Sequence, residues 1–261
     1  MTRRKFVPVA AAAGAALQGQ TKTSTKPCVY ELRVVHQRNS ADNQRQRMND
    51  LLRDATLPAL QKYGAGPAGF FTNAIAPGGP FMMAVISYPS MAAMEDIRAR
   101  MNADPKYMKQ IEAFNAMSGL GYERIDSSLL RAFPGVPAIE APPTDAKRAP
   151  RIFELRTYES NNSATLRRKV KMFEDGGEIA IFRKLGMQVV FFAETIVGRD
   201  MPSLTYMLGY DDLAARERAW SAFGKDPDWA KLRSQPGLSD AEIVSNISSI
   251  LLSPLSFSPI R

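Results

Sequence analysis

The stretch Val29-Tyr30-Glu31-Leu32-Arg33-Val34 returns, altered, as Ile152-Phe153-Glu154-Leu155-Arg156-Thr157. Further along, the correspondence holds at a constant shift of 122 positions: Gly64 falls on Gly186, Tyr88 on Tyr210, Asp104-Pro105 on Asp226-Pro227, Tyr107 on Trp229, and Leu129-Leu130 on Leu251-Leu252. The opening strand needs a shift of 123, from Glu31 to Glu154. Landmarks spread over a whole unit mean two copies of one supersecondary plan rather than a chance match. The 261 residues therefore divide into two like units of about 110 each, a size at which a unit can hold its own core.

Each unit reads the same way. Val29 to Val35 alternates apolar and polar residues, with Tyr30, Leu32 and Val34 on one face and Glu31 and Arg33 on the other, the two-residue period of a strand. Met48, Leu51, Leu52, Ala55 and Ala59 then recur at helical spacing up to Gly64, with a bend expected at Pro58. Phe70 to Ala76 and Phe81 to Tyr88 flank Pro77-Gly78-Gly79-Pro80 and predict a hairpin. A helix to Met101 follows, and a second one opens at Asp104-Pro105, a capping residue with proline in the first helical position. Ser127 to Phe133 closes the unit as a fourth strand. In the second copy Leu166, Val170, Phe173 and Phe182 mark the first helix, which the pair Gly176-Gly177 weakens for no reason visible in the sequence.

The order β-α-β-β-α-β, with a short extra helix before the last strand, is the ferredoxin-like plan. Such a unit covers one sheet face with helices, and its bare face needs another layer. The expected fold class is α+β: two ferredoxin-like βαββαβ repeats packed sheet to sheet as a barrel of the dimeric α/β type within one chain. The predicted divisions are a leader and linker over 1–27, repeat 1 over 28–137, a Pro-rich linker over 138–150 and repeat 2 over 151–261.

The formal charge of +8 falls to +3 once Arg3, Arg4, Lys5, Lys22 and Lys26 of the leader and linker are set aside, too little to argue for nucleic acid. A single cysteine, Cys28, excludes an intrachain disulfide and a multi-cysteine metal site, and no zinc ligand set is present. No apolar run reaches the roughly 18 residues of a mature membrane span. Thr2-Arg3-Arg4-Lys5-Phe6-Val7 and the alanine-rich run to Leu17 resemble a twin-arginine export signal, which predicts a periplasmic or extracellular protein.

The two opening strands, Tyr30-Glu31-Leu32-Arg33 and Phe153-Glu154-Leu155-Arg156-Thr157-Tyr158, together with Asp104-Pro105-Lys106-Tyr107 and Asp226-Pro227-Asp228-Trp229, resemble the NIPSNAP family over residues 28 to 257. The resemblance implies the dimeric α/β barrel, here with both halves in one chain. It implies no catalytic residues, and barrel relatives that include cofactor-free monooxygenases, isomerases and haem-handling proteins are fold analogies only.

Candidate chemistry starts from Glu31, Arg33, Glu154 and Arg156. If Tyr30 and Leu32 meet the helices, these four line the barrel as a polar floor, either as structural ion pairs or as a ligand site in which an arginine holds an acidic group. Retention of the pair in both copies favours the structural role, so a specialised site should lie where the copies differ. They differ at Val35-His36 against Tyr158-Glu159. Tyr158 shares the Glu154 and Arg156 face, and His36 is the one histidine, the residue type most often used as an acid or base near neutral pH. His36 lacks a second haem signature and no phosphate loop or serine nucleophile motif occurs, so no cofactor is expected. Three readings follow: a protein binding a small, partly apolar ligand or a protein partner; a cofactor-independent oxygenase or isomerase, which requires a cavity with an unpaired polar group; and an assembly module that forms dimers, which requires a filled barrel.

Overall fold

The computed structural model describes residues 26–144 and 149–261, and the expected export signal lies outside them. Repeat 1 runs β1 (Val29–His36), α1 (Gln44–Leu51), a π-helical turn (Leu52–Thr56), α2 (Leu57–Tyr63), β2 (Ala68–Ile75), β3 (Phe81–Tyr88), α3 (Met91–Asn102), α4 (Pro105–Asn115) and β4 (Arg124–Ala132). Repeat 2 runs β5 (Ile152–Glu159), α5 (Ser163–Phe173), α6 (Glu178–Lys184), β6 (Gln188–Val197), β7 (Ser203–Tyr210), α7 (Leu213–Lys225), α8 (Pro227–Arg233), α9 (Asp240–Ile243) and β8 (Asn246–Pro254). No helix among the described residues is long and apolar enough to cross a membrane.

The eight strands close into one barrel in the order β1-β3-β2-β8-β5-β7-β6-β4. Each four-stranded sheet has its outer strands joined to the other copy, β2 to β8 and β4 to β6. The barrel is thus complete within one chain and needs no second copy to close it. Every neighbouring pair is antiparallel. Four steps around the ring therefore separate β1 and β5 while leaving them pointing the same way. Their last residues, His36 and Glu159, reach the same end, together with the hairpin turns 77–80 and 199–202.

Local chemistry explains the helices. Asp104 and Asp226 each cap a helix with proline in its first turn, accepting from the N–H of Lys106 and of Asp228 and Trp229 respectively. The bend expected at Pro58 is instead the π turn just before it: proline offers no N–H to the carbonyl of Asp54 and crowds it, and the helix widens there. In repeat 2 the helix stops outright. Gly177 adopts φ 85°, and a Cβ on Gly176 would sit 2.5 Å from the Met172 carbonyl oxygen and 2.8 Å from Leu232. The glycine pair is needed for this close turn, after which α6 restarts with buried Glu178 facing the buried Lys169 at 3.3 Å.

Sheet faces are the reverse of the assignment that would put charge inside. Tyr30, Phe71, Val85, Phe153, Phe191 and Met207, from both copies, form one apolar cluster within the barrel. Each copy also has its own cluster between sheet and helices, around Ile86 and Ile97 in repeat 1 and around Phe182 and Tyr206 in repeat 2. Glu31, Arg33, Glu154 and Arg156 lie on this outer, helix-covered face. The Glu31 carboxylate, fully buried, accepts from Arg33 (2.8 Å), from Arg98 of α3 (2.6 Å), from Ser127 of β4 (2.9 Å) and from Tyr88 of β3 (3.3 Å). Glu154 repeats the arrangement with Arg156 (3.1 Å), Arg216 (2.7 Å) and Trp220 (2.8 Å) of α7, and Ser249 (2.6 Å) of β8. These are clamps that tie a helix to the sheet. Burial alone would push both carboxyls up, but the guanidinium, hydroxyl and indole donors outweigh it and hold both below the ordinary 4.5.

Phe153→Ala, which empties part of the interior where the Phe71 and Phe153 rings meet at 5.2 Å, is expected to cost about 3–5 kcal/mol in denaturant unfolding. Glu154→Ala, which leaves the part-buried Arg156 without its carboxylate and Arg216 with exposed Glu217 alone, is expected to cost a similar ~3–5 kcal/mol. Because the folded-state carboxyls lie below their unfolded values, their contribution is complete above about pH 4.5 and drains as pH falls through the lowered values. Melting temperature followed down the acid limb should therefore fall less steeply with pH in Glu31→Gln and Glu154→Gln than in the unaltered chain.

Candidate functional site

Alternation along the strands decides what the barrel's two ends contain. Residues pointing inward from β1 are Tyr30, Leu32, Val34 and His36, so the interior passes from aromatic to polar along the axis. At one end Tyr30, Phe71, Phe153 and Phe191 are buried and fill the cross-section. At the other end a pocket of about 550 Å3 opens between the turns 77–80 and 199–202. The barrel is filled at one end and hollow at its mouth.

The two copies supply unlike walls to this mouth. Repeat 1 brings Leu32, Val34, Phe81 and Met83. At the positions matching Val34, Phe81 and Met83, repeat 2 brings Thr157, Ser203 and Thr205. The hydroxyl groups are paired with one another, Thr157 to Thr205 at 3.0 Å and Ser203 to Thr195 at 2.9 Å, and Ser203 and Thr205 are buried. Across the cavity, β1 and β3 of repeat 1 thus set hydrocarbon against the hydroxyls of β5 and β7 of repeat 2, while β4 adds Ser128 and β8 adds Ile250. Each hydroxyl pair keeps acceptor lone pairs for an incoming donor.

The rim carries the charge. In the β1–β4 ladder His36 stands opposite Arg124, with Asp126 two residues on along the same face. His36 Nε2 lies 2.9 Å from Asp126 Oδ2, and Arg124 Nη2 lies 3.3 Å from His36 Nδ1. Arginine can only donate, so Nδ1 accepts and the ring proton sits on Nε2, donated to Asp126. Arg199, from the 199–202 turn, reaches the same Asp126 oxygen at 3.3 Å. The imidazole hydrogen bond, with Arg124 and Arg199 nearby, holds the Asp126 carboxyl below its ordinary value.

Of the six residues singled out from the sequence, the mouth contains His36. Glu31, Arg33, Glu154 and Arg156 are in the helix clamps. Tyr158, expected to offer a phenol to a ligand, is on the outer face: its ring packs on Phe173 at 5.9 Å and its hydroxyl accepts from Tyr206 at 3.0 Å. The hydroxyl stripe, Asp126 and Arg199 were missed. Their signal was present in the repeat, since a comparison of β3 with β7 at the 122 shift sets Phe81 and Met83 against Ser203 and Thr205.

The NIPSNAP family model matches residues 30–135 and again residues 153–259, the two repeats of the barrel. Among solved structures, a "putative monooxygenase" from Lactobacillus acidophilus is similar over 88% of this chain and 94% of its own at 10% identity, with a TM-score of 0.59. An anthrone oxidase-like protein is similar over 89% and 94% at 9% identity, with a TM-score of 0.52. At these identities both are likenesses of fold. A NIPSNAP-like domain protein from Burkholderia xenovorans is 26% identical over 42% of this chain and 89% of its own, with a TM-score of 0.37. No curated protein matches in sequence. With two matches that together take in most of its length, the chain belongs to the NIPSNAP family and carries the domain twice in tandem.

Proposed function

We propose that this NIPSNAP protein binds a small, partly apolar molecule bearing oxygen groups in the mouth of its barrel. The observation that carries the reading is the unlike pair of walls: repeat 1 presents Val34, Phe81 and Met83 where repeat 2 presents Thr157, Ser203 and Thr205. A duplicated barrel stabilised only for its own sake has no need of hydroxyls on one side of an open cavity. A pocket of this size with an apolar face and a few convergent polar groups is the usual form of a small-molecule site. A cofactor-independent oxygenase or isomerase is the second reading, favoured by the His36–Asp126 pair at the cavity edge. An assembly module is supported less, because it calls for a barrel filled throughout.

The paired arginines Arg3-Arg4 and the apolar run that follows them support export, so the ligand would be met outside the cytoplasm. Full-length chain retained in the cytoplasmic fraction would count against that address, and substitution of both arginines by lysine is expected to abolish export.

Val34→Trp would fill the apolar side of the mouth. Native mass spectrometry of protein purified from its own compartment is expected to show a defined small molecule on the unaltered chain and at least a tenfold lower occupancy on Val34→Trp, with melting temperatures alike. Repeated absence of a bound molecule from the unaltered chain would tell against the proposal.

A further inference from the structure

We infer that the mouth takes its ligand through a weakly acidic O–H, a phenol or enol, whose proton passes to His36 Nδ1, while Asp126 braces the imidazolium and Arg124 and Arg199 face the oxyanion. This rests on the mouth being the ligand site.

The repeat isolates these residues. At the 122 or 123 shift, His36 corresponds to Glu159, Arg124 to Asn246, Asp126 to Ser248 and Arg199 to Pro77. All four corresponding residues lie at the same end of the barrel, yet Glu159 is taken up by Asn246 at 2.7 Å and has no imidazole or guanidinium counterpart at these positions. The constellation therefore does not follow from what the fold needs twice.

Its geometry is that of a proton acceptor. Nε2–H is spent on Asp126, which leaves Nδ1 as the ring's one basic atom. The partner found at that atom among the described residues is the Arg124 guanidinium, whose side chain is 59% exposed and can move aside. A ligand O–H that takes the place of Arg124 at Nδ1 loses its proton there: the O–H bond breaks, N–H forms, and no electrons change hands. The new imidazolium lies against a carboxylate already 2.9 Å away, and the displaced Arg124 and neighbouring Arg199 are the cations left for the oxyanion. The other charged groups of the mouth are Glu123 and Asp200; β3 and the 77–80 turn contribute Phe81, prolines and glycines, which carry none.

Acidity sets the ligand class. A phenol near 10 and an imidazole near 6.5 differ by about three to four powers of ten, a gap that one carboxylate and two guanidiniums can offset. Ordinary alcohols lie far outside that reach. The hydrocarbon wall formed by Val34, Phe81 and Met83 suits the ring or conjugated carbon skeleton that makes an O–H acidic.

The full chain can be tested with 7-hydroxycoumarin, whose phenol and phenolate absorb at different wavelengths, and with 7-methoxycoumarin, which has no proton to lose. The expected result is that both bind, and that bound 7-hydroxycoumarin shows about tenfold more phenolate than the free dye at the same pH, a midpoint lower by about one unit. His36→Gln should bind both dyes and hold the hydroxy dye as neutral phenol; Asp126→Asn, which removes the brace, should raise the midpoint part of the way. Dye bound as neutral phenol by the unaltered chain, or phenolate retained in His36→Gln, overturns this inference and leaves the ligand site standing. Failure of both dyes to bind, or binding of the methoxy dye undiminished by Val34→Trp, counts against the site and the inference together. Melting of each variant beside the unaltered chain confirms that it is folded, and should one fail to fold, Arg124→Gln, exposed and outside the core, reads the same midpoint and is expected to raise it.

Discussion

A four-stranded sheet leaves two edges of unpaired backbone N–H and C=O groups, and here each copy satisfies the other's, β2 on β8 and β4 on β6. Everything else depends on that closure. Once the ring is shut, one face of every strand looks into a common interior and the other looks outward, where the copy's own helices cover β3 and β7, while β4 and β8 keep exposed residues over much of their length. Strands covered in this way must be occupied on both sides, which is why β3 and β7 are buried at every residue.

Glu31 and Glu154 show how a charged residue survives on the helix side of such a strand. Each is fully buried, and each is surrounded by donors from its own strand, the neighbouring strands and the covering helix. A carboxylate this deep is tolerable because donors converge on it, and it fixes the helix to the sheet at one point. The clamps are conserved in plan between the copies and altered in detail. Arg98 of α3 reaches Glu31, while in α7 the equivalent position is Trp220 and the guanidinium comes from Arg216, one turn earlier. Repeat 2 buries more polar material than repeat 1. Lys169 sits among Tyr158, Phe173 and Trp229 with Glu178 against it, and burial pushes that carboxyl up to about 7 despite the ammonium beside it. The broken helix at Gly176 and Gly177 is what lets Glu178 face Lys169.

Architecture was legible because its causes are local. The repeat, the two-residue alternation, the proline and glycine turns and the Asp-Pro caps are all written in short stretches, and they predict the eight strands and the closed pair of sheets. The direction of the faces was not legible. Reading Tyr30 and Leu32 as the helix-facing side assumes that charge belongs in the barrel, but the partners that make Glu31 buriable on the other side, Arg98, Ser127 and Tyr88, lie 57 to 96 residues away in sequence. Tyr158 was misplaced for the same reason. His36 was legible as a difference between copies, whereas Asp126 comes beside it only when β4, some 90 residues on, pairs with β1, and Arg199 and Thr205 join the same mouth only when repeat 2 closes the ring.

Difference between the copies is also what separates site from scaffold here. Residues that hold the barrel together recur: Glu31 with Glu154, Ser127 with Ser249, Tyr88 with Tyr210. The polar and charged residues of the mouth differ, as does part of its apolar wall: His36 becomes Glu159, Asp126 becomes Ser248, and Met83 becomes Thr205. Two identical chains forming this barrel would be bound to present the same groups on both sides of the axis, and a cavity with an apolar wall facing a hydroxyl wall could not arise from them. Joining both halves in one chain removes that symmetry requirement while leaving the closure intact. The tandem arrangement thus allows the mouth to be polar on one side and hydrocarbon on the other without any change to the ladder that supports it.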